Sequence, residues 1–264
     1  ATLCRLENRV DRAALVRIAT VLVDQFIAAH PEPPGHLMLD LDATDDPVHG
    51  HQEGRFFHGY SDHHCFLPLY VFCGDELLTA YLRPANIDAA RHARAVLKLL
   101  VDRLRAAWPG VRITIRADSG FCRRRLMRWC DSHGIGYVLG LARNPAVQRL
   151  AADWTDRAER QFERTGEPQR TFGSFAYAAG SRDRPRRVIV KAEHTARGAN
   201  PRFVVANVPG DPQELYDAVY CRRGEAENRI KEQQLDLFAG RTSCHRFAAN
   251  QFRLLLSSAA YVLV

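Results

Sequence analysis

The chain has 264 residues, 46% of them hydrophobic and 25% charged, which is ordinary for a soluble globular protein with a sizeable core. No uncharged apolar run reaches about 18 residues, so a membrane-spanning helix is excluded at the sequence level. The sequence also opens without a signal peptide. The formal net charge of +7 favours a polyanionic partner, most simply DNA or RNA.

Seven cysteines form no CxxC pair, and their odd number argues against a disulfide framework or a zinc ribbon. They predict reduced, mostly buried thiols in a cytoplasmic protein. The chain starts at Ala1 and stops within the apolar run LLLSSAAYVLV, a pattern expected of a fragment of a longer protein.

Residues 1–35 predict a helical segment whose helix spans 10–29 and ends before the Pro-rich stretch HPEPPG. The next expected elements are, in chain order, a strand at 36–44, strands at 66–73 and 77–82 joined by a Gly74-Asp75 turn, a helix from Asp88 to Trp108, a strand at 111–118, a helix over about 121–133 and a strand at 135–141. This order predicts an α/β fold over 36–142, with a mixed sheet and helices on its faces.

Residues 143–212 differ in character, because they are rich in arginine and contain short strand-like runs at 172–178, 187–193 and 202–208. They predict a β-rich basic insertion. Helical pattern resumes over 213–264, which is expected to complete the core with a last helix at its end.

Three carboxylates stand in separate elements: Asp42 in LMLDLDAT, Asp118 in RITIRADSG and Glu227 in YCRRGEAENRIKE. The first two close strand-like stretches, and the third lies on a helix-like one. Carboxylates delivered by separate elements of an α/β domain can hold two divalent cations for phosphoryl transfer. For Asp118 the alternative is a solvated aspartate in an Asp-Ser-Gly turn.

Strand alternation does not choose between Asp40 and Asp42, because both fall on the face opposite the leucines of LMLDLDAT. Two like charges on one face repel unless a cation or a basic group lies between them, which favours a metal site or an arginine partner. Asp45 and Asp46 lie beyond the strand and are expected to be solvated loop residues.

On a helix, Tyr220, Arg223, Glu227 and Lys231 would form one stripe beside an apolar stripe. A carboxylate with these neighbours could bind a metal ion while the neighbours hold phosphates. The alternative is a helix stabilised by i, i+4 ion pairs, each worth a few tenths of a kcal/mol. Gly224 weakens the helix by about 1 kcal/mol.

Five histidines crowd residues 49–64 and make a zinc site conceivable, but their spacings match no standard zinc pattern. Hydrogen bonds to loop backbone or to DNA are the alternative. No Walker A or GxGxxG pattern occurs, so nucleotide hydrolysis and dinucleotide binding find no support.

Together, these motifs resemble the bacterial insertion-sequence transposases of the DDE type. Along the chain, the motifs follow in the order DxT, then ADSGF after a strand, then Y-x2-R-x3-E with EN-x-IKE. The resemblance is closest to the group with a Tyr-Arg-Glu-Lys signature and, within it, to the insertion-sequence thirteen-eighty branch. TLCRLEN, DPVHGHQEG and FAANQFRLLL also look like that branch, so the resemblance covers nearly the whole chain.

The resemblance implies an RNase H-like core with a β-rich insertion before the last catalytic helix. It selects Asp42 rather than Asp40 as the first catalytic and metal-binding carboxylate, with Asp118 second and Glu227 third. It further implies two Mg²⁺ ions, with Mn²⁺ as a substitute.

Tyr220 and Arg223 match DNA-contacting positions of the resembled group, and Lys231 and Asn228 complete the expected DNA-binding set. The group's lysine would fall on Gln234 in this chain, and Lys231 is the nearest substitute.

The implied function is DNA strand cleavage and strand transfer at insertion-sequence ends. The expected partners are the element's terminal repeats and target DNA, which a homodimer would bind as paired ends. The protein is expected to be cytoplasmic and associated with the bacterial nucleoid. Two alternatives remain: an RNase H-like nuclease that cuts without joining, and an inactive DNA-binding remnant of a decayed element.

Overall fold

The computed structural model describes residues 2–180 and 184–263, except for the side chain of Leu3. Residues 181–183 of the predicted insertion and both terminal residues lie outside the described part. The helices are α1 (Thr2–Arg9), α2 (Arg12–Ala29), α3 (Ala93–Ala107), α4 (Arg124–Ser132), α5 (Pro145–Leu150), α6 (Ala152–Thr165), α7 (Pro212–Glu214), α8 (Gly224–Asp236) and α9 (Phe247–Leu263). The strands are β1 (His36–Ala43), β2 (Asp46–Pro47), β3 (Phe56–His58), β4 (His63–Phe66), β5 (Leu69–Cys73), β6 (Glu76–Tyr81), β7 (Arg112–Ala117), β8 (Gly136–Leu141), β9 (Gln169–Tyr177), β10 (Arg186–Thr195), β11 (Gly198–Ala199) and β12 (Arg202–Ala206).

The chain folds as two compact units. The first comprises Ala1–Ile113 and Gly224–Val264, and the second comprises Thr114–Arg223. None of the helices in the described ranges is both long and apolar enough to cross a membrane.

The first unit is built on antiparallel strands β1, β5 and β6. The predicted Gly74-Asp75 turn joins β5 to β6, and Gly74 adopts φ 59°, a left-handed conformation that glycine reaches without steric cost. The alternation of β1 buries Leu39 and Leu41 completely. Helices α2 and α9 pack against β6, and α8 packs against β1. A smaller sheet has the order β2-β4-β3.

The second unit contains a mixed sheet. Strands β7 and β8 pair in parallel, and α4 forms the crossover that a parallel pair requires. Strands β8, β12, β10 and β9 then pair antiparallel in that order, and β11 also pairs with β10. Helix α6 covers β9 and β10, whose residues Val188 to Val190 are fully buried. The predicted α/β class, a mixed sheet flanked by helices, is confirmed.

Several predicted boundaries need correction. Helix α3 begins at Ala93 rather than at Asp88, because the Asp88 carboxylate accepts a hydrogen bond from the Ala90 N–H and so closes a separate turn. Helix α4 begins at Arg124, after a short 3₁₀ turn. Residues 145–165 of the predicted β-rich insertion form helices α5 and α6, which precede its strands.

The segment that leads into α8 is not a uniform α-helix. Leu215–Tyr220 is π-helical and Cys221–Arg223 is 3₁₀-helical, before α8 begins at Gly224. A π-turn is wider than an α-turn and a 3₁₀-turn is tighter. The single α-helical stripe predicted from Tyr220 to Lys231 is therefore wrong.

The cysteines are all free thiols, and all seven lie in the described part of the chain. Cys65, Cys122 and Cys130 are buried, whereas Cys4 and Cys221 are exposed. The expectation of mostly buried thiols therefore holds for only three of them.

Candidate active site

Asp40 and Asp42 share one face of β1 but differ in exposure. Asp40 stands opposite Phe72 and is 3% exposed. Asp42 is half-buried, and its carboxylate accepts a hydrogen bond of 2.9 Å from the Ala43 N–H. The difference favours Asp42 as the residue that can reach a bound ion or substrate.

Helix α8 brings Glu227 to the same unit as Asp42. Glu227 lies in the first turn of α8, which packs against β1. The adjacent Ala226 and Ile230 are buried in an apolar cluster with Tyr70, the cross-strand partner of Asp42. This apolar contact fixes α8 on the sheet and leaves Glu227 half-buried.

The other predicted residues of α8 take different roles. Lys231 and Asn228 are exposed, as a contact with DNA would require. Gln234, which stands where the resemblance places a lysine, is half-buried and donates to the Asp45 carbonyl at 3.3 Å. Gln234 thus ties α8 to the segment that follows β1, and Lys231 is an exposed cation one turn earlier.

Asp46 is buried, contrary to the expectation of a solvated loop residue. It is 1% exposed, because β2 pairs with β4 and its side chain meets Thr242, whose hydroxyl donates to Oδ2 at 2.8 Å. Its Oδ1 has no hydrogen-bond partner among the described residues. Burial raises the pKa of Asp46 to about 7, and the charge of Asp45 acts in the same direction.

This shift makes the stability of the fold depend on pH. An aspartate in an unfolded chain ionises near pH 3.9, so the stability contributed by protonated Asp46 is full below about pH 4 and is lost as the pH rises through about 7. We expect Asp46→Asn, which keeps an acceptor for Thr242, to raise the free energy of unfolding at about pH 8 by up to ~4 kcal/mol. Urea unfolding at about pH 5 and pH 8 measures this. The exposed Asp62→Asn is the control, and an unchanged pH slope in Asp46→Asn would contradict the expectation.

Asp118 begins the turn that follows β7. Its Oδ1 accepts a hydrogen bond of 2.8 Å from the Gly120 N–H and caps the 3₁₀ turn Ser119–Phe121. The Asp-Ser-Gly turn is therefore real, and it holds the half-buried carboxylate at the end of a buried strand.

Tyr220 and Arg223 lie beside Asp118 within the second unit. Arg116 of β7 donates to the Val219 carbonyl at 2.5 Å and so fixes the π-helical segment. Burial raises the pKa of Tyr220, the charge of Arg223 opposes the rise and the charge of Asp118 adds to it. Asp118, Tyr220 and Arg223, which are three of the predicted site residues, are thus neighbours.

Gly140 in β8 permits this arrangement. A Cβ atom added at Gly140 would lie 2.5 Å from the Tyr220 hydroxyl and 2.9 Å from the Ser119 backbone nitrogen, closer than non-bonded atoms approach. Gly140 is not among the site residues predicted from the sequence, although a glycine inside a strand is a recognised sign of close backbone approach.

A cavity of about 250 Å³ opens beside these residues. Its aromatic wall includes Tyr216 and Tyr220, whose ring centroids are 5.7 Å apart, and its other walls carry two arginines, a serine and apolar residues. Arginine binds phosphate, and aromatic rings stack on bases or sugars, so such a cavity suits a nucleic-acid strand. The lining residues are Ser119, Gly140, Leu141, Ala142, Arg143, Arg202, Phe203, Tyr216 and Tyr220.

The predicted acidic residues suit a hard divalent cation in donor type. Asp42, Asp118 and Glu227 offer only carboxylate oxygens, and Mg²⁺ is commonly held by one or two carboxylates with water and substrate phosphates. Within either unit, the described residues contain no group of three or more His, Cys, Asp or Glu side chains that could hold a metal ion. The five histidines of residues 49–64 form no such group, and His58 contacts the Ser61 hydroxyl at 2.9 Å.

The fold is mixed α/β, and proteins of this class commonly have their functional sites at the carboxyl ends of strands. Asp118 lies at such a position, directly after β7. The model of the family Transposase DDE domain group 1 matches residues 1–264, and the chain belongs to that family. DDE transposases have RNase H-like catalytic folds and are in general divalent-metal-dependent nucleotidyl transferases.

Among solved structures, the chain is similar to piggyBac transposase in a cryo-EM structure of its synaptic complex with hairpin DNA. The TM-score is 0.46 and the identity 12%, over 90% of this chain and 49% of that chain. The chain thus spans about half the length of that solved chain. A comparison with curated proteins finds no match.

Proposed function

We propose that this chain is the catalytic domain of a DNA transposase that cleaves and transfers strands at insertion-sequence ends. Membership of the DDE family supports the transposase class. The observation that carries the proposal is the position of Asp118, held by its turn beside Tyr220, Arg223 and the arginine-lined cavity. The proposal includes membership of the Tyr-Arg-Glu-Lys group and its insertion-sequence thirteen-eighty branch, for which the support is the order of the motifs in the sequence.

In this proposal the RNase H-like core comprises residues 36–142 and 213–264, and residues 143–212 are its insertion. Asp42, Asp118 and Glu227 would hold two Mg²⁺ or Mn²⁺ ions. When bound, such ions activate the attacking oxygen and stabilise the leaving oxygen.

The remaining residues act on the DNA directly. The Tyr220 phenol is protonated at neutral pH, as tyrosines ordinarily are, and burial raises its pKa further, so it can donate a hydrogen bond to a phosphate oxygen. Arg223 neutralises non-bridging oxygens of the phosphate. Exposed Lys231 and Asn228 of the first unit contact the DNA backbone. In the second unit, the cavity arginines Arg143 and Arg202 also bind phosphates.

The proposal takes terminal-repeat and target DNA as the partners, with a homodimer on paired ends. It is tested by incubating the chain with a labelled DNA end bearing a free 3′-OH and a supercoiled plasmid, with Mg²⁺ or Mn²⁺. Joined products that vanish in EDTA are expected. Nicked plasmid without joining would support the nuclease, and salt-sensitive binding without any product would support the inactive remnant.

A further inference from the structure

A series of hydrogen bonds in the second unit ends at Arg143, which lines the cavity described above. The Arg143 guanidinium donates to Asn200 Oδ1 at 2.6 Å, and Asn200 Nδ2 in turn donates to Glu193 Oε2 at 3.1 Å. Lys191 donates to the same oxygen of Glu193 at 2.8 Å. The backbone of Asn200 is fixed as well, because its N–H donates to the Glu193 carbonyl at 2.7 Å. Arg143 itself is exposed, whereas the three residues behind it are buried or half-buried.

Lys191 and Glu193 lie two residues apart on β10, so their side chains share one face of the strand. They form an ion pair whose side chains are only 9% and 24% exposed. Removing two charges from water opposes their attraction, and apolar residues of similar volume are often as stable in such a position. Glu193 is ionised at neutral pH, as glutamates ordinarily are, and the hydrogen bond from Lys191 lowers its pKa further. The stability of the fold therefore does not by itself explain why a charged pair stands here.

The ion pair is also next to two other residues that line the cavity. The Lys191 Nζ lies 5.8 Å from the centroid of the Tyr216 ring, which belongs to the aromatic wall. Across the β10–β12 pair, Lys191 stands directly opposite Arg202. Like charges in this position repel each other, and the Glu193 carboxylate bound to Lys191 offsets part of that repulsion. The pair is thus in contact with one side of the cavity and is linked to Arg143 through Asn200.

We infer that Asn200 is a positioning residue, which is held by the Lys191–Glu193 pair and orients Arg143 to bind a DNA phosphate at the cavity. The bond to Asn200 uses one of the five N–H donors of the guanidinium, and the planar fork keeps the others in fixed directions. An arginine that is already held loses less side-chain entropy on binding than a mobile one does. This role of Asn200 rests on the proposed function, in which Arg143 binds a phosphate.

The test measures binding of a fluorescent DNA duplex to variants of the full chain in EDTA, over a range of salt concentrations. In Arg143→Gln we expect Kd to rise roughly 10-fold and the salt slope to fall by about 0.9, because one phosphate contact is lost. Asn200→Ala keeps the charge of Arg143 and removes its support, so Kd should rise roughly 3- to 10-fold with nearly the wild-type slope. The matched controls, Arg149→Gln and Gln148→Ala, change exposed residues of α5 in the same unit and should bind nearly as the wild type does.

The readout that separates positioning from a merely structural role is the effect of Asn200→Ala in the Arg143→Gln background. If Asn200 acts through Arg143, the second substitution adds nothing to Kd in that background. A structural role would instead give the same fold-loss of affinity with and without Arg143. Equal losses in the two backgrounds would therefore overturn the inference, and so would a wild-type Kd in Asn200→Ala.

The double variant Lys191→Met, Glu193→Leu tests the ion pair behind Asn200, and it takes the place of Asn200→Ala if that variant does not fold. Because apolar replacement of such a pair is often neutral, urea unfolding should show a stability close to that of the wild type. Kd should nevertheless rise as in Asn200→Ala, and only while Arg143 is present. A folded double variant with the wild-type Kd would overturn the role of the pair.

Binding is measured without catalysis, so failure of this inference can be told apart from failure of the proposed function. A wild type that binds DNA and forms no joined product would count against the proposed function and leave the positioning of Arg143 standing. Arg143→Gln with the wild-type Kd and salt slope would overturn the inference, while joined product from the wild type would still support the proposed function.

Discussion

Asp118→Asn is expected to abolish strand cleavage and transfer while leaving DNA binding close to that of the wild type. Asparagine keeps an oxygen that can accept the Gly120 hydrogen bond, so the turn should persist and only the negative charge is lost. Loss of a transition-state interaction of about 4 kcal/mol lowers the rate by about 10³-fold, and the loss of a metal-binding carboxylate should reach at least that size. The measurement is the yield of joined product under single-turnover conditions.

The control for this experiment is Asp156→Asn, which removes an exposed aspartate of the same unit and should have no effect. Asp42→Asn and Glu227→Gln should repeat the result of Asp118→Asn. Wild-type activity in Asp118→Asn would remove this residue from the mechanism.

Gly140→Ala is expected to lower activity by about 100-fold, because a misplacement of about 1 Å in a catalytic group can have that effect. The added methyl group would meet the Tyr220 hydroxyl at 2.5 Å and the Ser119 backbone at 2.9 Å, so Tyr220 or the turn of Asp118 must move. Overpacking of this kind also lowers the free energy of unfolding by about 1–3 kcal/mol. Product yield and urea unfolding measure the two effects.

Two further variants make this prediction specific. Gly180→Ala should be neutral, since a Cβ atom there has no described heavy atom within 4 Å. Adding Tyr220→Phe to Gly140→Ala removes the closest clashing atom and should restore part of the lost stability. Equal stability of Gly140→Ala and the wild type would show that the close approach is not maintained in solution.

Regular apolar patterns explain which parts of the fold could be predicted. The sequences of β1 and β7 alternate apolar and polar residues, and apolar residues recur at helical spacing in α2, so the positions of these elements follow from local sequence. The burial of both faces of β7 does not follow from that pattern. Helix α5 has only six residues and α6 is half charged, and Val147 and Ala158 are the buried residues of the two helices, so neither shows a clear apolar stripe in the sequence. A single small apolar residue buried in each helix gives too weak a hydrophobic pattern to predict the helix from sequence.

In the candidate site, too, the local sequence predicts only the residues that lie close together along the chain. Asp118 could be found because its strand and turn are contiguous in sequence. Gly140 and Arg202 come from other strands, and the sequence alone does not show that they meet around one cavity. The burial of Asp46 does not follow from the local sequence, because it depends on Thr242, 196 positions away.

The most direct test of the proposed metal-dependent site is the position of Mn²⁺ in crystals of this chain, located by anomalous diffraction. We expect Mn²⁺ bound by carboxylate oxygens of Asp118, Asp42 and Glu227, at the short distances of about 2 Å typical of small divalent cations. Mn²⁺ bound only elsewhere, with the Asp118 carboxylate outside its ligand shell, would contradict the claim that these residues form the metal-dependent site.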